Sequence, residues 1–160
     1  MAGKRDRDTP PDAYNKALSL LVRREHSRRE LSRKLRARGI EAEAADAAMD
    51  KLAGQGFQDE ARFAQSLVRS RANGGHGPVR IRAELATHGL PSELIASAME
   101  ACETDWAQSA QAVLERRHTS AELADPNKRR KAVEFLLRRG FALDMAYAVV
   151  AQMRAGDDEA

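Results

Sequence analysis

Between Arg23 and Arg38 the chain carries Arg23, Arg24, Arg28, Arg29, Arg33, Lys34, Arg36 and Arg38, interrupted by only two acids, Glu25 and Glu30. Cations at that density attract polyanions, and the chemistry they suit best is contact with nucleic-acid phosphates. At 100° per residue, Arg29, Arg33 and Arg36 lie opposite Leu31 and Leu35 on a helix. Arg29 and Arg33 form a like-charge i,i+4 pair, which costs a few tenths of a kcal/mol in an isolated helix. A solvated helix face, with Arg36 and Arg38 complementing a helix C-terminus, is the plainer account of the same residues. A second basic stretch holds Lys128, Arg129, Arg130, Lys131, Arg138 and Arg139, with Arg116 and Arg117 nearby. Base-edge readout has no visible code here. No aromatic row interleaves the cations, so a stacking platform for single strands is not indicated.

Other chemistry finds no footing. His26, His76, His88 and His118 are scattered and read as surface histidines, and no pair has metal-ligand spacing. Cys102 falls on an apolar stripe and reads as a core thiol. Gly74-Gly75-His76-Gly77 lacks the Gly-Lys-Ser/Thr ending of a phosphate loop. No Ser/His/Asp or Cys/His arrangement is present, and Trp106, Phe63 and Phe135 suit core positions. The expectation is a non-enzymatic protein with no cofactor and no metal.

The elements that must carry the cations emerge from an internal repeat. Leu-x-x-x-Gly-apolar occurs at Leu35–Gly39–Ile40, Leu85–Gly89–Leu90 and Leu136–Gly140–Phe141, with glycines 50 and then 51 residues apart. After each glycine comes one apolar helical face: Ala45, Ala48, Met49 and Leu52; Ile95, Ala98, Met99 and Cys102; Ala146, Val149, Val150 and Met153. Before each lies an amphipathic stretch ending in Leu21–Val22, Leu67–Val68 or Val113–Leu114. Each repeat is therefore three helices, and glycine closes the second in a left-handed conformation. Ser27-x-x-Glu30 reads as a capping box, Asp59 as an N-cap, and Asp125-Pro126 as a cap with proline at N1. Gly54–Phe57 is a turn between repeats, and Gly74–Pro78 breaks repeat two. The linkers between first and second helices lengthen along the chain. Glu103–Trp106 lacks Gly and Pro, so the third helix of repeat two is free to run on into the next repeat.

The fold class is thus all-α: three tandem three-helix repeats in an elongated, curved array. They cover residues 13–56, 57–103 and 104–154, with residues 1–12 and the acidic tail 155–160 expected to be disordered. Repeats near 50 residues sit at the lower size limit for an independent core, so stability is expected to come mostly from stacking between neighbours. The chain has 160 residues, a net charge of +3 and a pI near 9.3. Charge is sorted by helix: Val79, Ala83 and Ala86 replace the arginine row in repeat two, and the third helices of the first two repeats lean acidic. A single cysteine, no apolar leader and no run long enough to span a membrane predict a cytoplasmic location.

The stretch Gly56–Gly89 resembles the middle repeat of the RecX family in Phe57-x-Asp59-Glu60-x-x-Phe63-Ala64, Arg69-Ser70-Arg71 and Gly77-Pro78-x-x-Ile81-x-x-Glu84-Leu85. The outer repeats are similar in Ser27-Arg28-x-Glu30-Leu31-x-x-Lys34-Leu35-x-x-x-Gly39 and in Arg130-Lys131-x-x-x-Phe135-Leu136-x-x-Arg139-Gly140-Phe141. His88 departs from the pattern, where a basic residue usually precedes the glycine. The resemblance implies a negative regulator that lodges in the groove of the RecA filament on single-stranded DNA and inhibits its ATPase, strand exchange and coprotease functions. It adds Arg69, Arg71, Arg80 and Arg82 to the candidates Arg23, Arg24, Arg28, Arg29, Arg33, Lys34, Arg36, Arg130 and Lys131. Whether these meet DNA phosphates or acidic patches of RecA is open at this point. So are a plain DNA-binding module, an interaction scaffold, and a monomer or a repeat-swapped dimer.

Overall fold

The computed structural model describes residues 11–156; the expected disorder of residues 1–10 and 157–160 lies outside it. Every regular element among the described residues is helical. Repeat one holds α1 (Pro11–Arg23), α2 (Arg28–Ala37) and α3 (Ala42–Gly54). Repeat two holds α4 (Glu60–Asn73), α5 (Pro78–Thr87) and α6 (Ser92–Ala101). Repeat three holds α7 (Trp106–Glu115), α8 (Pro126–Arg138) and α9 (Leu143–Ala155), with a 3₁₀ turn at Ala121–Ala124. The helix α1 thus begins two residues before the sequence-based boundary. No described helix is long and apolar enough to cross a membrane.

The helix ends follow the residues. Gly39, Gly89 and Gly140 stand at φ +82°, +70° and +96°, the left-handed region that closes a helix. Around Gly39 the Ile40 amide donates to the Leu35 carbonyl and the Gly39 amide to that of Arg36, a Schellman pattern repeated around Gly140. Asp59, Asp105 and Asp125 accept from the amides of Arg62, Gln108 and Asn127. Ser27 accepts from the Glu30 amide at 3.1 Å, but the Glu30 carboxylate turns away to Arg24 and Lys34, so only half of the capping box forms.

Each repeat buries its own core. Leu31, Leu35, Met49 and Leu52 centre the first; Phe63, Val68, Ile81 and Leu85 the second; Leu114, Leu123, Leu136 and Phe141 the third. The extensive helix packing lies within repeats, and among the described residues Trp106 alone packs against two of the cores. Apolar stacking between neighbours is therefore not what holds each unit together. The faces that meet carry Ser27, Arg29 and glycine backbone, with apolar contact confined to Trp106 and to Val113 against Gly75.

Three further expectations are corrected. The chain breaks at Cys102–Asp105: Cys102 is extended at ψ 101°, Asp105 caps α7, and α6 does not continue into it. The first two linkers, 24–27 and 74–77, are equal in length, and only the third, 116–125, is longer. In α1 the buried positions are Ala13, Ala17 and Leu20, while Val22 is 79% exposed. The repeat register slips by one residue there, which turns the apolar stripe by 100°.

Candidate nucleic-acid interface

The second helices of the three repeats meet end to end. At the first junction, Ser27, the N-cap of α2, places its Oγ 2.6 Å from Nδ1 of His88, the C-cap of α5. Arg29 Nη1 donates to the Thr87 carbonyl at 3.0 Å and closes over Gly89. At the second junction the Gly77 amide, at the N-terminus of α5, donates to the Arg139 carbonyl at 2.8 Å, and the Val79 amide to Gly140 at 2.9 Å. A Cβ on Gly77 would stand 2.4 Å from the Gly140 carbonyl group, so the two backbones touch. Ser27 and Gly77 are 50 residues apart, and the closing glycines they meet, Gly89 and Gly140, are 51 apart, so both joints set the start of one second helix on the end of the next. The partly positive amino end of one helix faces the partly negative carboxyl end of the next.

A polar cluster fills the first junction. His26 is 1% exposed, which corrects its reading as a surface histidine. Its Nδ1 donates to the Arg24 carbonyl at 3.0 Å, leaving Nε2 to accept from the Lys34 ammonium at 3.0 Å. Burial, chiefly, lowers its pKa; the Arg24 carbonyl and Glu30 oppose this, while the charges of Arg24 and Lys34 add to it. Glu30 is 7% exposed and takes both Arg24 and Lys34. Burial would raise its carboxyl, but those hydrogen bonds outweigh it, the charges of His26 and Arg24 add to them, and the pKa falls to about 2. From repeat two, Glu60 accepts from the Arg28 amide at 2.7 Å, capping a helix of repeat one, and buried Gln58 donates to Glu60 at 2.8 Å.

This geometry sorts the candidate cations. Arg24 and Lys34 hold Glu30, and Arg28 meets Asp50 at 2.5 Å. Arg71 grips Glu84 with two bonds of 2.6 and 2.8 Å, and Arg130 lies 4.0 Å from Glu134. Arg29 is spent on the junction. Among the described residues, no carboxylate lies within 4.0 Å of Arg23, Arg33, Arg36, Arg69, Arg80, Arg82 or Lys131. The structure brings Arg28, Arg29, Arg33 and Arg36 around one cleft of about 640 Å³ at the first junction. Arg71, Arg80 and Arg139 gather around His76 at the second; burial first, then their charges, lower its pKa. Lys131 joins Arg117 and Arg138 on another face, and Arg130 lines a groove on repeat three. Sequence reasoning missed Gln58, Glu60 and His88 as junction residues, although Glu60 stood in the quoted motif. No described group of His, Cys, Asp or Glu could hold a metal ion.

Comparison with known proteins decides the family. The chain matches the first, second and third three-helix domains of RecX over residues 13–52, 59–99 and 103–150. It belongs to the RecX family. Relatives include the regulatory protein RecX of Stenotrophomonas maltophilia (strain R551-3), 55% identical over 139 residues that cover 87% of this chain and 85% of that protein. The regulatory protein RecX of Xanthomonas oryzae pv. oryzae (strain MAFF 311018) is 53% identical, over 87% of this chain and 86% of that protein. A crystal structure of RecX from Lactobacillus salivarius superposes with a TM-score of 0.74 at 24% identity, covering 90% of this chain and 96% of that one. Another RecX crystal structure gives 0.70 over 90% and 72%. RecX domain order and fold are therefore those of this chain, and a regulatory role comes with the family.

Proposed function

We propose that this chain is a negative regulator of RecA that binds the RecA–single-stranded DNA filament and inhibits its ATPase, strand exchange and coprotease activities. The observation that supports this is the pair Arg33 and Arg36: exposed, free of described carboxylates, and set beside Arg28 and Arg29 at the mouth of the first junction. Such cations meet phosphates or acidic protein surface, and they do so without catalytic chemistry. Three small cores joined at narrow seams suit a body that lies along an extended partner. The action is binding in the cytoplasm, with RecA and DNA phosphates as partners and no cofactor.

The test is the single-stranded-DNA-dependent ATPase rate of RecA with this protein titrated in below the RecA concentration. Inhibition is expected, and Arg33→Glu with Arg36→Glu should weaken it at least tenfold with helicity intact. Arg29 is left out because it holds a junction. No inhibition by the folded protein would overturn the reading. Salt-sensitive binding to DNA alone, without inhibition, would turn it into a plain DNA-binding module.

A further inference from the structure

Repeat three carries an open apolar groove of about 800 Å³ between α8 and α9. Val133, Leu137, Leu143, Tyr147 and Val150 form its floor and walls, with Leu143 and Tyr147 54% and 60% exposed. Large side chains are seldom left in such a contiguous patch without a partner. Among the described residues nothing covers it.

The repeat shows what this groove is. Counting back through the repeats, Arg129, Arg130, Val133, Leu137, Tyr147 and Val150 correspond to Arg28, Arg29, Ser32, Arg36, Asp46 and Met49 of repeat one. Those residues line the α2–α3 cleft, and there Glu60, His88 and Gly89 of repeat two complete the wall. The α8–α9 groove is thus the surface through which a repeat receives a helical neighbour. In repeat three it is apolar where repeat one is polar.

The rim selects the occupant. Arg130 and Arg154 are exposed at its edges, and Arg129 lies beside them, donating to the Leu123 and Ala124 carbonyls at 3.0 Å. Glu134 is the lone acid in the lining. In the equivalent cleft the neighbour brings a carboxylate, that of Glu60. A second copy docking in the same manner would present the end of α2, where Arg36 and Arg38 would meet Arg129 and Arg130 as like charges. An apolar floor gives nucleic acid nothing to bind. The α8 wall from Pro126 to Leu137 runs about 16 Å, three helical turns.

We propose that this groove docks an amphipathic helix of a protein partner, about three turns long, with its apolar face inward and carboxylates flanking it toward Arg130 and Arg154. The inference does not rest on the RecA reading, and its test contains neither RecA nor DNA.

The probe is a fluorescein-labelled helical peptide with leucines at i, i+3, i+7 and i+10 and glutamates beside them, titrated with the full chain. A second peptide carries lysine in place of glutamate. The acidic peptide should bind at least tenfold more tightly than the basic one. Leu137→Glu and Tyr147→Glu, both at exposed positions and checked for unchanged helicity, should each weaken it tenfold or more. Arg130→Glu with Arg154→Glu should invert the preference between peptides. Equal binding of the two peptides, or unaltered binding by folded Leu137→Glu, would overturn the proposal. Concentration-dependent dimerisation abolished by Leu137→Glu would also overturn it, giving the groove to a second copy.

Discussion

Arg29 reaches out of repeat one and closes over Gly89 of repeat two: a Cβ at Gly89 would stand 2.8 Å from the guanidinium carbon. A side chain in the row read from sequence as a phosphate ridge is therefore a clasp between repeats. Arg29→Ala should leave the three cores folded and loosen the first junction. Small-angle scattering should show a larger radius of gyration with unchanged helicity. An unaltered scattering curve would refute the clasp.

The three capping glycines predict a graded series. Gly39 has a left-handed φ and open space around it, so Gly39→Ala should cost only the strain, about 1–2 kcal/mol. Gly89→Ala adds displacement of the flexible Arg29 end. Gly140→Ala should cost most, because its Cβ would stand 2.3 Å from Arg80 Cβ and 2.8 Å from the Arg80 amide nitrogen. Urea midpoints measured on the three variants test the order; equal losses would mean strain alone matters.

Acid should weaken the first junction through two groups of the same sign. The Glu30 carboxyl is depressed to about 2, so its stabilisation is full above the unfolded value of 4.5 and is lost as pH falls through about 2. The His26 pKa is lowered from 6.5, so the unfolded chain takes up its proton first and stability begins to fall below 6.5. Discounted for the exposure of Arg24, the Glu30 contribution is about 1–2 kcal/mol. Unfolding free energy measured from pH 7 to pH 3 should fall less steeply in Glu30→Gln than in the native chain. Parallel curves would count against the pairing.

The break at Cys102–Asp105 can be tested with proline. Cys102 is extended, as a residue before proline prefers, so Glu103→Pro should be tolerated within about 1 kcal/mol. Ser109 lies inside α7 and its amide donates to the Asp105 carbonyl at 3.0 Å, so Ser109→Pro should cost about 3 kcal/mol. Thermal melts of both variants decide it. Comparable losses would restore a helix running through the junction.

The repeat architecture was legible because glycine spacing and the apolar faces after it are local signals. Leu35–Gly39, Leu85–Gly89 and Leu136–Gly140 each closed the helix they were expected to close. The slip in α1 was hidden because Leu18, Leu20, Leu21 and Val22 offer two adjacent stripes, and only packing on α3 selects between them. The helix break after Ala101 lacked Gly or Pro; it rests on the Asp105 cap, a weaker signal. Of the candidate site, the types of the charged residues were readable and their partners were not. Arg71 finds Glu84 thirteen residues on, and Glu60 crosses to another repeat to reach Arg28. Such pairings belong to the tertiary fold. So does the touch of Gly77 on Gly140, which sequence marks only as two glycines.

The end-to-end joints also give the molecule a direction. The amino end of α2 is set on the carboxyl end of α5, and that of α5 on α8, so the helix dipoles add in one sense along the array. One extremity ends in the amino end of α8, capped by Asp125, the other in the carboxyl end of α2 beside Arg36 and Arg38. Turning the array around would exchange unlike poles. A partner that itself has a head and a tail would meet this protein favourably in a single orientation.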